Sequence, residues 1–341
     1  MSTTSTAPQS GFLLYERTLG VAAMTDRGFF YPVDVAIRRD GRIYVANRSH
    51  EGNVGSIRVT IIDYDSQYYG VFGFAGEGDG QFTWPTAIAL DQDDLVYVSD
   101  EFTQRISVFD ADGNFLHKWG TEGSGPGELD GPAGLAFDSD DNIYVTDHRN
   151  HRVQQFTKDG RYLKAFGSHG DGDGELDLPW GIALDEEHGI YVADWRNDRI
   201  QRFSIDGEFI ASYGESGDGD GQFNRPSGVA VDRDGYVYVA DWGNERVQVL
   251  DPEGGFVMKL RGEATLSPWA EEYLNANPDE ARARSTSDLE TVANMRDESP
   301  HQESSHIEKY FWGAGSVKLD HEGKLYVTER SRHRTQVFRR A

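Results

Sequence analysis

The chain has no cysteine in its 341 residues. That excludes disulfides, thiolate metal sites and a cysteine nucleophile, and it fits a reducing compartment. It has no apolar run approaching the ~18 residues of a membrane helix, and its opening Met-Ser-Thr-Thr-Ser-Thr-Ala-Pro-Gln-Ser stretch has neither a basic start nor an apolar core. The expectation is a cytoplasmic protein, neither secreted nor bound to a membrane, with residues 1–11 as a disordered tail. Positive charge is scarce: 33 Lys and Arg face 58 Asp and Glu, for a formal net charge of −25. Such a chain repels phosphate backbones, so no nucleic-acid partner is expected.

Glycine and aromatics, by contrast, are abundant. The chain carries 39 Gly, 16 Tyr and 18 Phe with frequent Asp-Gly pairs, the composition of many short strands joined by tight turns. Pro85, Pro132, Pro179 and Pro226 are each separated by 47 residues, a period that signals a repeat architecture. Each unit reads as four strands; in the unit starting at Pro179 they are predicted at 181–184, 189–193, 199–203 and 209–213, with turns between. A four-stranded sheet cannot bury both apolar faces alone, so successive units are expected to stack as blades around an axis.

Asn150-His151-Arg152-Val153, Asn197-Asp198-Arg199-Ile200 and Asn244-Glu245-Arg246-Val247 occupy the same place in successive units. The first spells the signature of NHL repeats, and the pattern resembles that family over about 330 residues. The resemblance implies an all-β, six-bladed β-propeller. A first blade starts at Tyr31-Pro32 and a last at Gly315, but the last ends with the chain before its fourth strand. Gly20 to Pro32 spans the same 12 residues as Gly120 to Pro132, so residues 12–19 are predicted to supply the missing strand and close the ring.

Two insertions break the period. Tyr44 to Arg58 spans 14 residues where other blades have 8, which places six extra residues in 48–55. Gly262 to Ala314 spans 52 residues instead of 12. Long inserts in compact folds serve a function or stay disordered. Ser267-Pro268, Asn277-Pro278 and Ser287-Asp288-Leu289-Glu290, the last leading to Val292 and Met295, read as helix starts, with a polar stretch over 297–305. Both insertions leave the ring on the face where the first strands begin. The segment 263–312 is therefore expected to lie over the channel mouth as a helical lid, placing Trp269, Tyr273 or His306 near Trp195, Trp242 and His148.

The most regular polar feature is an acid ending the second strand, Asp100, Asp147, Asp194 and Asp241, with Asn47 and Glu329 in the outer blades, followed five residues later by Arg in most of them. Identical groups in every blade serve the repeat, so this ring reads as structural pairing rather than as a catalytic array. A site belongs where blades differ. The next residue is Arg48, Glu101, His148, Trp195, Trp242 or Arg330 in successive blades; together with Trp180 these give an aromatic and a charged wall for a ligand at the channel mouth. The competing reading is that the tryptophans only pack against loops.

The resemblance also brings to mind the zinc lyase that finishes peptide amidation, whose histidines project from the starts of first strands. The matching positions here are Asp34, Ala87, Gly134, Gly181, Gly228 and Ser316, so no three-histidine zinc site, and no other metal or cofactor, is expected. His301 and His306 match no zinc spacing. Asp34 and Lys318 stand where other blades carry small residues, and read either as an acid/base couple or as a structural ion pair; His148 and Glu101 complete the candidate catalytic groups. The leading functional reading is a module binding a peptide, protein or small molecule on the loop face. A channel-mouth lyase or hydrolase comes second, and RNA binding, which charge opposes, third.

Overall fold

A computed structural model describes residues 11–49, 54–185, 187–290 and 299–341. The opening tail, the centre of the blade 1 insertion, and Val292 and Met295 fall outside those residues.

Six four-stranded antiparallel sheets form the ring. In blade 4 the strands are Pro179–Asp185, Gly189–Asp194, Arg199–Phe203 and Phe209–Tyr213, paired in order, hereafter strands a to d. The β-branched and aromatic residues of strand b face neighbouring blades on both sides. This is why its tyrosines, Tyr44, Tyr97, Tyr144, Tyr191, Tyr238 and Tyr326, are among the largest fully buried side chains, a pattern that only stacked blades explain. Each link from strand d to the next strand a drops one apolar side chain into the seam: Phe29, Phe82, Leu129, Leu176, Phe223 and Phe311 are all fully buried.

Blade 6 pairs Ala314–Leu319, Leu325–Glu329 and Arg334–Arg340 with the N-terminal strand Leu13–Leu19. That strand lies antiparallel to Arg334–Arg340 from Leu13 opposite Arg340 to Leu19 opposite Thr335. The ring closes by joining the chain's two ends, as the 12-residue spacing predicts.

The large insert carries three helices among the described residues: α1 (Pro268–Ala276), α2 (Pro278–Ser285) and α3 (Pro300–His306). The first two begin where expected, and Ser267 caps α1 by accepting from the Ala270 amide at 3.2 Å. The third corrects the expectation. Ser287–Glu290 is irregular, and the capping box is formed by Ser299 and Gln302, with Pro300 at the first helical position; the polar 297–305 stretch thus contains a helix, because it holds both halves of the box and an N1 proline.

The insert also departs from the expected lid. Trp269 is 4% exposed on the outer seam between blades 6 and 1, where it meets Phe29 and Tyr68 at ring separations of 6.1 and 6.5 Å. At four of the other five seams the last aromatic of strand d, Phe72, Trp119, Phe166 or Tyr213, covers a glycine in the c–d turn of the next blade, Gly113, Gly160, Gly207 or Gly254. At the closing seam the strand ends in Leu19 and the turn holds Ser66. Trp269 supplies the missing aromatic, donating its indole N–H to Ser66 O at 2.8 Å. Tyr273 is exposed and bonded to Glu280, and His306 is exposed; none of the three lies among the residues that line the mouth.

Candidate functional site

The NHL signature resolves into a clasp between blades. Asn150 donates to Gly123 O and to Asp147 at 2.9 Å each. Arg152 donates to Asp147 at 2.8 Å and to the carbonyls of Ser124, Gly125 and Glu128 in the preceding link. His151, in the left-handed region at φ 55°, accepts at Nδ1 from the Leu178 amide at the start of the next blade, at 3.2 Å. Gln104, Asp198, Glu245 and His333 do the same for Gly131, Arg225, Gly313 and Tyr31. The backbone strain of a non-glycine αL residue, about 1–2 kcal/mol, is thereby repaid by a bond that ties one blade to the next at five of the six seams. The acids are fully buried at Asp100, Asp147, Asp194, Asp241 and Glu329; burial raises the carboxyls of Asp147, Asp194 and Asp241, and their hydrogen bonds oppose that rise. Every oxygen is engaged in the repeat, which leaves this ring no catalytic freedom.

Above the clasp, at the channel mouth, lies a cavity of about 190 Å³ lined among the described residues by Pro32, Val33, Arg48, Thr86, Trp180, Trp195, Ser227, Trp242, Gly315 and Arg330. Five of the seven residues singled out from the sequence converge here. Glu101 and His148 do not. Glu101 is buried and holds Arg48 at 2.6 Å, while His148 is buried beneath Trp180, ring centroids 4.7 Å apart and edge-on. Burial lowers the His148 imidazole from its ordinary value, and its Nδ1 lies 3.2 Å from Pro179 O. Both therefore support the wall rather than face the cavity.

The sequence reading missed Val33, Thr86, Ser227 and Gly315. A signal was present: all four stand in register with Trp180, one residue after the start of strand a. It also missed Arg225, whose guanidinium lies 5.0 Å from the Trp195 ring, and Trp84, which Arg48 covers at 5.0 Å.

The cavity floor is a constriction of about 30 Å³ lined by Asp34, Ala87, Gly134, Gly181, Gly228, Ser316 and Lys318, among others. A Cβ on Gly134 would stand 2.6 Å from Trp180 O and one on Gly181 2.7 Å from Ser227 O. The neighbouring a strands approach so closely that only hydrogen fits there. Asp34 accepts from the Ser316 hydroxyl at 2.5 Å and the Ile88 amide at 3.0 Å, with Lys318 Nζ at 3.5 Å. It therefore cross-links blades 6, 1 and 2, the geometry of a structural pair.

Two groups of described residues bring three potential metal ligands together: His151, His169 and Asp177, and Asp91, Asp93 and Asp141. In the first, the Nδ1 lone pair of His151 is committed to the Leu178 amide. In the second, the Lys158 ammonium sits 2.7 Å from Asp93, 3.2 Å from Asp141 and 3.8 Å from Asp91, where a cation would go.

Comparison with known proteins agrees with this architecture. The NHL repeat model matches residues 129–156, 176–203 and 223–250, and a six-bladed beta-propeller model matches residues 87–138. A search of curated protein sequences finds no match. Among solved structures the chain is similar to virginiamycin B lyase from Staphylococcus aureus, at 12% identity and a TM-score of 0.57, over 96% of this chain and 99% of that one. A gluconolactonase from Xanthomonas campestris matches at 14% identity and 0.58, over 96% and 99%, and a protein of unknown function from Bacteroides thetaiotaomicron at 18% and 0.63, over 97% and 76%. Such identities speak for the fold alone. No helix among the described residues is long and apolar enough to cross a membrane. The clasp, the six sheets and the two family models agree: the chain carries NHL repeats and folds as a six-bladed β-propeller.

Proposed function

We propose that this propeller is a binding module that takes a small molecule, or the end of a peptide, into the mouth of its channel. The observation that carries this reading is the convergence of Trp180, Trp195 and Trp242, from two adjacent blades, on one concave cavity. Three tryptophans held half-open to water are poorly explained by packing, and concave, mostly apolar sites with few polar groups are the usual form of ligand pockets. Enzymes such as the lyase and the gluconolactonase share the propeller shape. The titratable groups nearest the cavity, Asp34, Glu101 and His148, each hold a partner in the fold, which speaks against their acting as a general acid or base there. Binding without chemistry is the simpler account.

The test is a ligand screen read by tryptophan fluorescence and repeated on Trp195→Ala and Trp242→Ala. Ligands of the mouth lose affinity in these variants while the melting temperature stays close to that of the parent. Ligands that bind both variants unchanged would place the site elsewhere.

A further inference from the structure

The cationic wall of the cavity is built from two arginines in different states. Arg48 is neutralised: Glu101, 6% exposed, accepts from it at 2.6 Å, and the Trp84 ring covers it at 5.0 Å. Arg330 follows Glu329, the acid that closes the blade 6 clasp, and its backbone is fixed by its N–H, which donates to Gly313 O at 2.9 Å. Its guanidinium lines the cavity and, among the described residues, makes no side-chain hydrogen bond or ion pair; its nearest aromatic partner is the Tyr31 ring at 5.9 Å. Arg330 is exposed to solvent at the edge of the cavity, so its donors are open to a ligand entering the mouth. Desolvation, and after it the positive charge of Arg48, lower Arg330 from its ordinary value, while Tyr31 and Glu101 pull the other way; a negative charge beside the two arginines offsets their mutual repulsion.

We propose that Arg330 anchors a single carboxylate of the ligand, whose apolar or aromatic body lies against Trp180, Trp195 and Trp242. This rests on the mouth being the binding site. The chemistry follows from charge and shape. Arg48, Glu101 and Arg330 together carry one net positive charge, which matches a monoanion; a phosphate dianion or a second carboxylate would face Glu101 and a chain of net charge −25. A planar guanidinium with free donors is matched by a planar carboxylate accepting two parallel N–H bonds. A cavity of about 190 Å³ admits a small acid or one terminal residue of a peptide.

The experiment uses the full chain and matched pairs of probes, 3-phenylpropanoate with 3-phenylpropanamide and cyclohexylacetate with cyclohexylacetamide, with tryptophan fluorescence as readout. The same titrations are run on Arg330→Gln and Trp242→Ala. The acids are expected to bind at least tenfold more tightly than their amides. Arg330→Gln should remove that difference without weakening the amides, and Trp242→Ala should weaken both. Equal affinity of acid and amide, lost only on Trp242→Ala, would overturn the carboxylate anchor and leave the mouth reading standing. Binding of both that Trp242→Ala leaves unchanged, or no binding by any probe, would count against the mouth itself. Inorganic phosphate displacing the acids at equal concentration would refute the preference for a monoanion. A melting temperature of Arg330→Gln equal to the parent's separates lost recognition from lost structure.

Discussion

Trp269→Ala is expected to weaken the ring at its closing seam. Trp269 is 4% exposed, packs on Phe29 and Tyr68, and donates to Ser66 O at 2.8 Å. Truncating a buried aromatic to alanine costs about 3–5 kcal/mol, and the orphaned Ser66 carbonyl falls within that range. For a chain of this length the entropy of unfolding is about 0.7 kcal/mol/K, so a loss of about 4 kcal/mol lowers the melting temperature by about 5–6 °C. Two controls separate the causes. Trp269→Phe keeps most of the packing and loses the indole bond, worth about 1 kcal/mol. Tyr273→Ala, on the same helix but 48% exposed, should stay within about 0.5 kcal/mol of the parent. Scanning calorimetry reads the three variants, and amide exchange shows whether protection is lost first on strand 13–19 and blade 1. If Trp269→Ala melts with the parent, or no differently from Tyr273→Ala, the insert is only appended to the ring and the substitution of Trp269 for the missing strand-d aromatic is wrong.

Deleting residues 11–19 strips blade 6 of its outer strand and bares the edge of Arg334–Arg340, so the truncated chain should melt far lower and aggregate; equal melting temperatures would refute closure by the N-terminus. Gly134→Ala would push a Cβ to 2.6 Å from Trp180 O and should cost about 1–3 kcal/mol as an overpacked core site, read by chemical denaturation, with an unchanged midpoint as the contrary result. His151 and His333 are held below the ordinary imidazole value by burial, and each accepts a backbone amide at Nδ1. Because the unfolded chain takes up those protons first, their contribution is complete above about pH 6.5 and is lost as pH falls from there through their folded values. His333→Gln, which copies the acceptor Gln104 of blade 2, should flatten the fall in melting temperature between pH 7 and pH 5; an unchanged slope would exclude this histidine as the cause.

The repeat was legible because its causes are local. A 47-residue period, Asp-Gly turns and an Ile/Val-Tyr-Val core in strand b recur in the chain whatever its partners, and they determine blade count, strand order and the closure by residues 12–19. The position after each strand-b acid was legible as a place where residues converge for the same reason: Arg48, Trp195, Trp242 and Arg330 differ against a constant background and line one cavity. What the sequence could not tell is how those residues spend their bonding capacity. Glu101 and His148 occupy the same register as Trp195, yet Arg48 and Trp180 bury them, and that depends on side chains from neighbouring blades. The insert shows the limit most clearly. Its helix starts follow from capping residues, but where α1 docks was decided by a vacancy about 200 residues away in sequence, where Leu19 and Ser66 leave a seam unfilled. The meeting of Arg330 with the tryptophans is likewise a property of the assembled ring, since only the folded blades bring Trp180, Trp195, Trp242 and Arg330 to one cavity.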